Sequence, residues 1–300
     1  MVKTLKYWIQ RSITHYKRKG LLDTVNYLLI NGPYKRIKNY SNYFLKNKKY
    51  PQNVIFLASL PKSGSTWVAN MFNGLDGFDQ FAPLKWNTSI QKEWEDTRWD
   101  LYDGFFDEFD KKLAVIRGHT WPHLYNIEIL QKSGLKYFIT VRDPRDKLIS
   151  EYWHSRNYPK QWKRELTEHK NISEYITYVF ESGDFEKQTI DWIRNWLNYF
   201  ENNKIYLIKY EDLLTDTYLT MKKALLFLGF ECDDIKLKNI IDENKFVKVT
   251  GREKGIEDST SFVRKGVAGE WKEIFTEKQK RMFCDIGEDV IRRMGYQPTL

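Results

Sequence analysis

The sequence predicts an α/β fold: a central parallel sheet flanked by helices, with a P-loop-like anion-binding loop after its first strand. Three observations carry this. Short apolar runs alternate with longer stretches of helical periodicity, the pattern of βα units whose parallel strands are covered on both faces. The first apolar run passes directly into a Ser/Gly turn and then a helix. The 300 residues are 41% hydrophobic and 16% aromatic, enough for a sizeable core and too aromatic for a disordered chain.

Each element has its own signal. Val54–Ala58 is an apolar run short enough for a buried strand, and the helix after it places Val68, Met71, Phe72 and Leu75 on one face. Leu113–Ile116 and Tyr137–Val141 are two further buried strands. Asp143 and Pro144 read as the N-cap and first residue of a helix. Ile190, Ile193, Leu197 and Phe200 mark another helix, and Ile205–Ile208 a fourth strand. A helix through Leu225, Leu226 and Leu228 stops at Gly229, and the last helix spans Gln279–Met294. Residues 76–112 break the rhythm. They hold Phe78, Phe81, Trp86, Trp94, Trp99, Tyr102, Phe105, Phe106 and Phe109 among many acids, and read as an insertion. Two roles stand open for it: a surface subdomain with its own small core, or a wall of a ligand pocket at the strand ends.

Charge divides the chain in two. Residues 1–50 carry twelve Lys and Arg against the single acid Asp23, whereas the rest carries 37 bases and 39 acids. The domain reading is therefore a basic amphipathic helical segment, 1–50, and one domain, 51–300. In the segment, Leu5, Trp8, Ile9, Ile13 and Tyr16 form one apolar face, and Leu21, Leu22, Val25, Leu28 and Leu29 a second. These helices either pack on the domain or lie on an anionic membrane surface. No run is long and apolar enough to cross a membrane, no signal peptide is evident, and no nucleic-acid motif accompanies the basic charge. Two cysteines, Cys232 and Cys284, exclude a disulfide-dense scaffold and a Cys-based zinc module. A cytoplasmic protein, peripheral to membrane where residues 1–50 meet lipid, is the expected setting.

The strongest local signal is Pro61-Lys62-Ser63-Gly64-Ser65-Thr66-Trp67 between strand and helix. Small residues let backbone N–H groups turn toward an anion, and the helix dipole adds positive potential. Lys62 precedes the glycine, so this is not the nucleotide-triphosphatase pattern. The stretch resembles the 5′-phosphosulfate loop of the sulfotransferases that use 3′-phosphoadenosine 5′-phosphosulfate. Three more stretches resemble that family in its order: Val141–Asp146 with Ser150, then Tyr210-Glu211-Asp212, then Arg264-Lys265-Gly266 with Gly269-Glu270-Trp271-Lys272. The resemblance runs from about Val54 to about Gly295.

The resemblance implies a role for each residue. Lys62 stabilises the leaving group, where negative charge develops. Ser63, Gly64, Ser65 and Thr66 cradle the 5′-phosphate, and Trp67 stacks on adenine. Arg142 and Ser150 bind the 3′-phosphate, over which Arg264, Lys265 and Gly266 close. Tyr210 and Phe246 contact the adenosine. His119 is the catalytic base that deprotonates the acceptor hydroxyl. Arg117 stands where the family usually has Lys, keeping the charge without the point-like ammonium. The donor is 3′-phosphoadenosine 5′-phosphosulfate, the acceptor a hydroxyl of a lipid, saccharide or similar molecule, and no metal is required. The aromatic stretch 76–112 then becomes a candidate acceptor wall. The rival readings are a magnesium-dependent P-loop phosphoryl-transfer enzyme and a non-catalytic membrane-binding protein on the same fold.

Overall fold

A computed structural model describes residues 50–81, 83, 100–157, 169–200, 203–261 and 263–300, with the single positions 41 and 45. The helices expected within residues 1–50, and most of the aromatic stretch between 82 and 99, lie outside the described residues. The chain runs β1 (Val54–Ser59), α1 (Ser65–Asn73), β2 (Asp79–Gln80), β3 (Ala114–Gly118), α2 (Leu124–Ser133), β4 (Tyr137–Val141), α3 (Pro144–Asn157), α4 (Ile172–Glu181), α5 (Asp191–Leu197), β5 (Ile205–Lys209), α6 (Tyr210–Thr215), α7 (Thr217–Leu228), α8 (Asp234–Glu243), α9 (Phe246–Thr250), α10 (Trp271–Ile274) and α11 (Glu277–Arg293).

Among the described residues, five parallel strands make one sheet in the order β2-β3-β1-β4-β5. Every residue of the central strand β1 is buried, as a strand covered on both faces requires. Its period of two sorts the core. Val54, Phe56 and Ala58 face one side with Ile116, Ile139, Trp192, Trp196 and Phe283. Ile55 and Leu57 face the other with Phe72, Phe138, Leu225 and Leu237. The four expected strands are present. The fifth, β2, is two polar residues paired with Ala114 and Val115, too short and too polar to show as an apolar run.

Caps set the helix ends. Asp143 Oδ1 accepts from Arg145 N at 3.0 Å, the N-cap geometry expected before Pro144. Gly229 closes α7 in the left-handed region at φ 73°. The last helix starts two residues earlier than expected because Thr276 and Gln279 form a reciprocal capping box. The helix expected through Phe200 ends at Leu197 and follows a π-helical turn at Glu186–Ile190. Of the aromatic stretch, Leu101, Phe105 and Phe109 are buried in the main core, with Phe105 edge-on to Phe56 at 6.3 Å.

Parallel topology places the carboxyl ends of all strands on one edge. The segments leaving β1, β3, β4 and β5 therefore converge, and the order reverses about β1, where open α/β sheets bind ligands.

Candidate active site

The loop after β1 is stapled to β4. Leu60 N donates to Thr140 O at 2.9 Å, and Ser63 hydroxyl donates to Leu60 O at 2.6 Å beside Thr140 Oγ1 at 3.0 Å. Ser63 is thereby buried under the loop. Lys62 and Gly64 are both left-handed, at φ 64° and 80°, which turns the chain sharply into α1. Gly64 caps α1 without a side-chain bond, so the positive end of the helix opens at the loop. A Cβ on Gly64 would lie 2.7 Å from Tyr210 Cδ2. Burial, then the charge of Arg142, lowers the Lys62 pKa from 10.5 to about 8.

At the end of β3, Arg117 and His119 reach the same space. His119 Nδ1 lies 2.8 Å from the carbonyl of Ser59. A carbonyl only accepts, so Nδ1 carries the proton and Nε2 keeps its lone pair. The backbone behind it is fixed, because Thr120 O accepts from the indoles of Trp192 and Trp196 at 3.1 and 3.3 Å. His123, four residues on, instead stacks on Trp121 at 5.6 Å. Burial lowers the pKa of Arg117, as it does that of His123.

The segment after β4 connects two motifs far apart in sequence. Arg142 is 7% exposed, donates to Val267 O at 2.9 Å and stacks on Tyr210 with its guanidinium carbon 4.6 Å from the ring centroid. Asp146 accepts from Gly269 N, and from Trp271 N at 3.1 Å. Arg145, fully buried, pairs with Asp143 at 2.6 Å and lies 3.7 Å over Trp271. Residues 264–271 are thus held against Val141–Asp146. Within the held loop, Gly266 is left-handed at φ 67°, and a Cβ there would meet Phe246 Cδ2 at 2.5 Å.

These stretches enclose one cavity of about 440 Å³. Lys62, Gly64, Ser65, Thr66, Trp67, Arg117, His119, Arg142, Ser150, Tyr210, Phe246, Arg264, Lys265 and Gly266 all line it. Ser63 alone of the expected residues does not; its hydroxyl is spent on the loop's own fold. Lining residues that the motifs do not reveal include His154, Lys245 and Lys254, and Glu270 of the Gly269–Lys272 motif lines it too. His154 follows Ser150 by one helical turn, on the same face of α3. Burial, then the charge of Lys62, lowers its pKa to about 4, so it is neutral at physiological pH.

Among the described residues, seven Lys and Arg line the cavity against one carboxylate, Glu270, which suits a ligand carrying several negative charges. Arg142 Nε and Trp67 Nε1 are buried and have no hydrogen-bond partner among the described residues. With three aromatic rings, two positions where a Cβ would clash and these unspent donors, the residues present fit an adenosine carrying phosphates at both ends of the ribose. No cluster of His, Cys, Asp and Glu suited to a metal occurs among the described residues.

Comparison with known proteins agrees with this geometry. A family model described as a sulfotransferase domain matches residues 52–295. Sulfotransferase 2A1 of Rattus norvegicus is 26% identical over 257 residues, covering 82% of this chain and 86% of its own. The 3-alpha-hydroxysteroid sulfotransferase of Cavia porcellus is 26% identical over 257 residues, covering 80% and 83%. Among solved structures, mouse sulfotransferase SULT7A1 complexed with PAP is similar at a TM-score of 0.61 and 20% identity, covering 85% of this chain and 91% of that one. Retinol dehydratase in complex with androsterone and the inactive cofactor PAP is similar at 0.57 and 15% identity, covering 84% and 86%. At these identities the structural likeness shows the fold.

Proposed function

The chain belongs to the sulfotransferase family, and from that premise we propose how its residues divide the transfer of a sulfuryl group from 3′-phosphoadenosine 5′-phosphosulfate to a hydroxyl. The enzyme exchanges one bond for another at sulfur: the bond to the donor's bridging oxygen breaks as a bond to the acceptor oxygen forms. The products are 3′,5′-adenosine bisphosphate and a sulfate ester. Neither rival reading, magnesium-dependent phosphoryl transfer or a non-catalytic membrane protein, is supported.

His119 takes the acceptor's proton on Nε2, the nitrogen that the bond from Nδ1 to Ser59 O leaves basic. Lys62 meets the charge that develops on the bridging oxygen, and Arg117 faces the sulfuryl group from β3. Gly64, Ser65 and Thr66 hold the 5′-phosphate with the N-terminus of α1, over a loop that Ser63 braces from beneath. Arg142, Ser150, Arg264, Lys265 and Gly266 hold the 3′-phosphate. Trp67, Tyr210 and Phe246 hold the adenosine. One observation carries this assignment: residues from four separate stretches of sequence, each matched to the donor by its motif, line a single cavity together with His119 and Arg117. The test is thermal stabilisation by 3′,5′-adenosine bisphosphate in the presence of a chelator. Stabilisation that vanishes with the chelator would contradict the assignment.

The acceptor bears a hydroxyl. Relatives named for hydroxysteroids support a lipid-like alcohol over a saccharide. Turnover with a panel of sterols, long-chain alcohols and sugars decides this, and a sugar-only profile would reverse the choice. The excess of eleven positive charges in residues 1–50, beside two apolar faces, supports attachment to an anionic membrane surface. Salt-sensitive binding to phosphatidylserine vesicles, lost on deleting the segment, is expected. Equal indifference of both proteins to vesicles would reduce the segment to packing. No helix among the described residues is long and apolar enough to cross a membrane.

A further inference from the structure

Arg264 and Lys265 already have anionic partners. Arg264 gives one guanidinium nitrogen to Glu257 Oε1 at 2.8 Å and another to Glu270 Oε2. Lys265 Nζ lies 2.9 Å from Glu270 Oε1 and 3.1 Å from Glu257 Oε2. Each carboxylate therefore bridges both cations, one oxygen to each, in a closed ring of two positive and two negative charges. Arg142 differs, since its hydrogen bond goes to the carbonyl of Val267.

The two carboxylates sit in different settings. The side chain of Glu270 is 11% exposed, lines the cavity and caps α10. That of Glu257 is 36% exposed and belongs to a connection, 251–261, without helix or strand. Glu257 is the partner that can leave at least cost, because its rotation to water desolvates nothing and moves no secondary structure. A phosphate dianion brings three oxygens and nearly two charges, and can take both of the positions that Glu257 holds. Glu270 would remain as the inner counter-ion.

We infer that Glu257 is a displaceable stand-in for the donor's 3′-phosphate, competing with the nucleotide for Arg264 and Lys265 and so setting nucleotide affinity and product release. The inference rests on the donor reading above. Binding exchanges a carboxylate for a phosphate on the same two cations, and departure of the bisphosphate product is assisted as Glu257 recaptures them. Glu257 is thus an affinity-determining residue of the sulfuryl-transfer cycle that touches neither sulfur nor the acceptor.

The test uses the full chain and two ligands, 3′,5′-adenosine bisphosphate and adenosine 5′-monophosphate, titrated into wild type, Glu257→Gln and Glu257→Ala. Both variants are expected to bind the bisphosphate more tightly, by roughly three- to tenfold for the loss of two partly exposed ion pairs. Dissociation of the bisphosphate slows to match, while affinity for the monophosphate stays within about twofold of wild type. Tightening of both ligands alike, or no tightening or a loss in both variants, overturns the inference while leaving the donor reading in place. A wild type that binds the two nucleotides equally overturns the donor reading, and the inference with it.

Discussion

Gly64→Ala is the most informative single change to the phosphate loop. The residue sits at φ 80°, where an L side chain costs roughly 1–2 kcal/mol. The added Cβ would also lie 2.7 Å from Tyr210 Cδ2 and 3.3 Å from Cε2. That ring cannot swing freely, because Arg142 stacks on it and Trp67 meets it edge-on at 6.3 Å. Overpacking of this kind costs about 1–3 kcal/mol, so the two effects together reach roughly 2–5 kcal/mol. For a domain of this size each kcal/mol lowers Tm by about 2–4 °C. Calorimetry of wild type, Gly64→Ala, Tyr210→Ala and the double variant separates the two causes. The clash part disappears in the double variant and appears as a coupling of roughly 1–3 kcal/mol, whereas the backbone part persists. Additivity within about 0.5 kcal/mol would show that the ring does not press on Gly64. An unchanged Tm in Gly64→Ala would show that the loop is not left-handed there.

Other substitutions probe the chemistry. The Lys62 pKa in the fold, about 8, lies below its usual 10.5, so the unfolded chain binds more protons between those values and stability rises with pH across that window. Lys62→Met is therefore expected to raise the Tm of the ligand-free protein at pH 7, with a gain that shrinks from pH 8 towards 10.5, while turnover is lost; a gain independent of pH would contradict the buried ammonium. His119→Ala is expected to lower kcat by roughly 10²–10⁴ with affinity for 3′,5′-adenosine bisphosphate retained, whereas His123→Ala, stacked on Trp121 away from the cavity, costs little. The reverse ranking of the two histidines in steady-state kinetics would reassign the base. Arg142→Ala is expected to weaken bisphosphate binding on the order of 10–100-fold, the loss of a charge-assisted bond, and to leave adenosine 5′-monophosphate within a few-fold; calorimetric titration giving equal losses for both would remove Arg142 from the 3′-phosphate.

The apolar strands and the phosphate loop were legible because each is written in consecutive residues. A run such as Val54–Ala58 has one comfortable place in an α/β fold, and Lys62 to Trp67 sit within one turn of each other. Parallel topology then did the rest, bringing Lys62, His119, Arg142 and Tyr210 to one edge. What the sequence concealed depends on contacts between distant segments. Asp146 binds the amides of Gly269 and Trp271, more than 120 residues away, and nothing local marks it for that task. His154 reaches the cavity only because α3 continues one turn beyond Ser150. Ser63 looks like a phosphate ligand in the motif, but its hydroxyl finds Leu60 O first, a choice set by the loop's curl. Glu257 lies outside every motif and becomes visible only when the connection folds back onto Arg264 and Lys265.

Transfer of labelled sulfur is the most direct measurement of what this cavity does. Wild type is incubated with sulfur-labelled 3′-phosphoadenosine 5′-phosphosulfate, a hydroxyl-bearing acceptor panel and a chelator, alongside His119→Ala and Lys62→Met. The expected result is label in a sulfate ester for wild type, formed together with an equal amount of 3′,5′-adenosine bisphosphate, and background label for both variants. Label transferred equally well by all three proteins would contradict the assignment of this site, and donor that stays intact with wild type across the whole panel would contradict the activity.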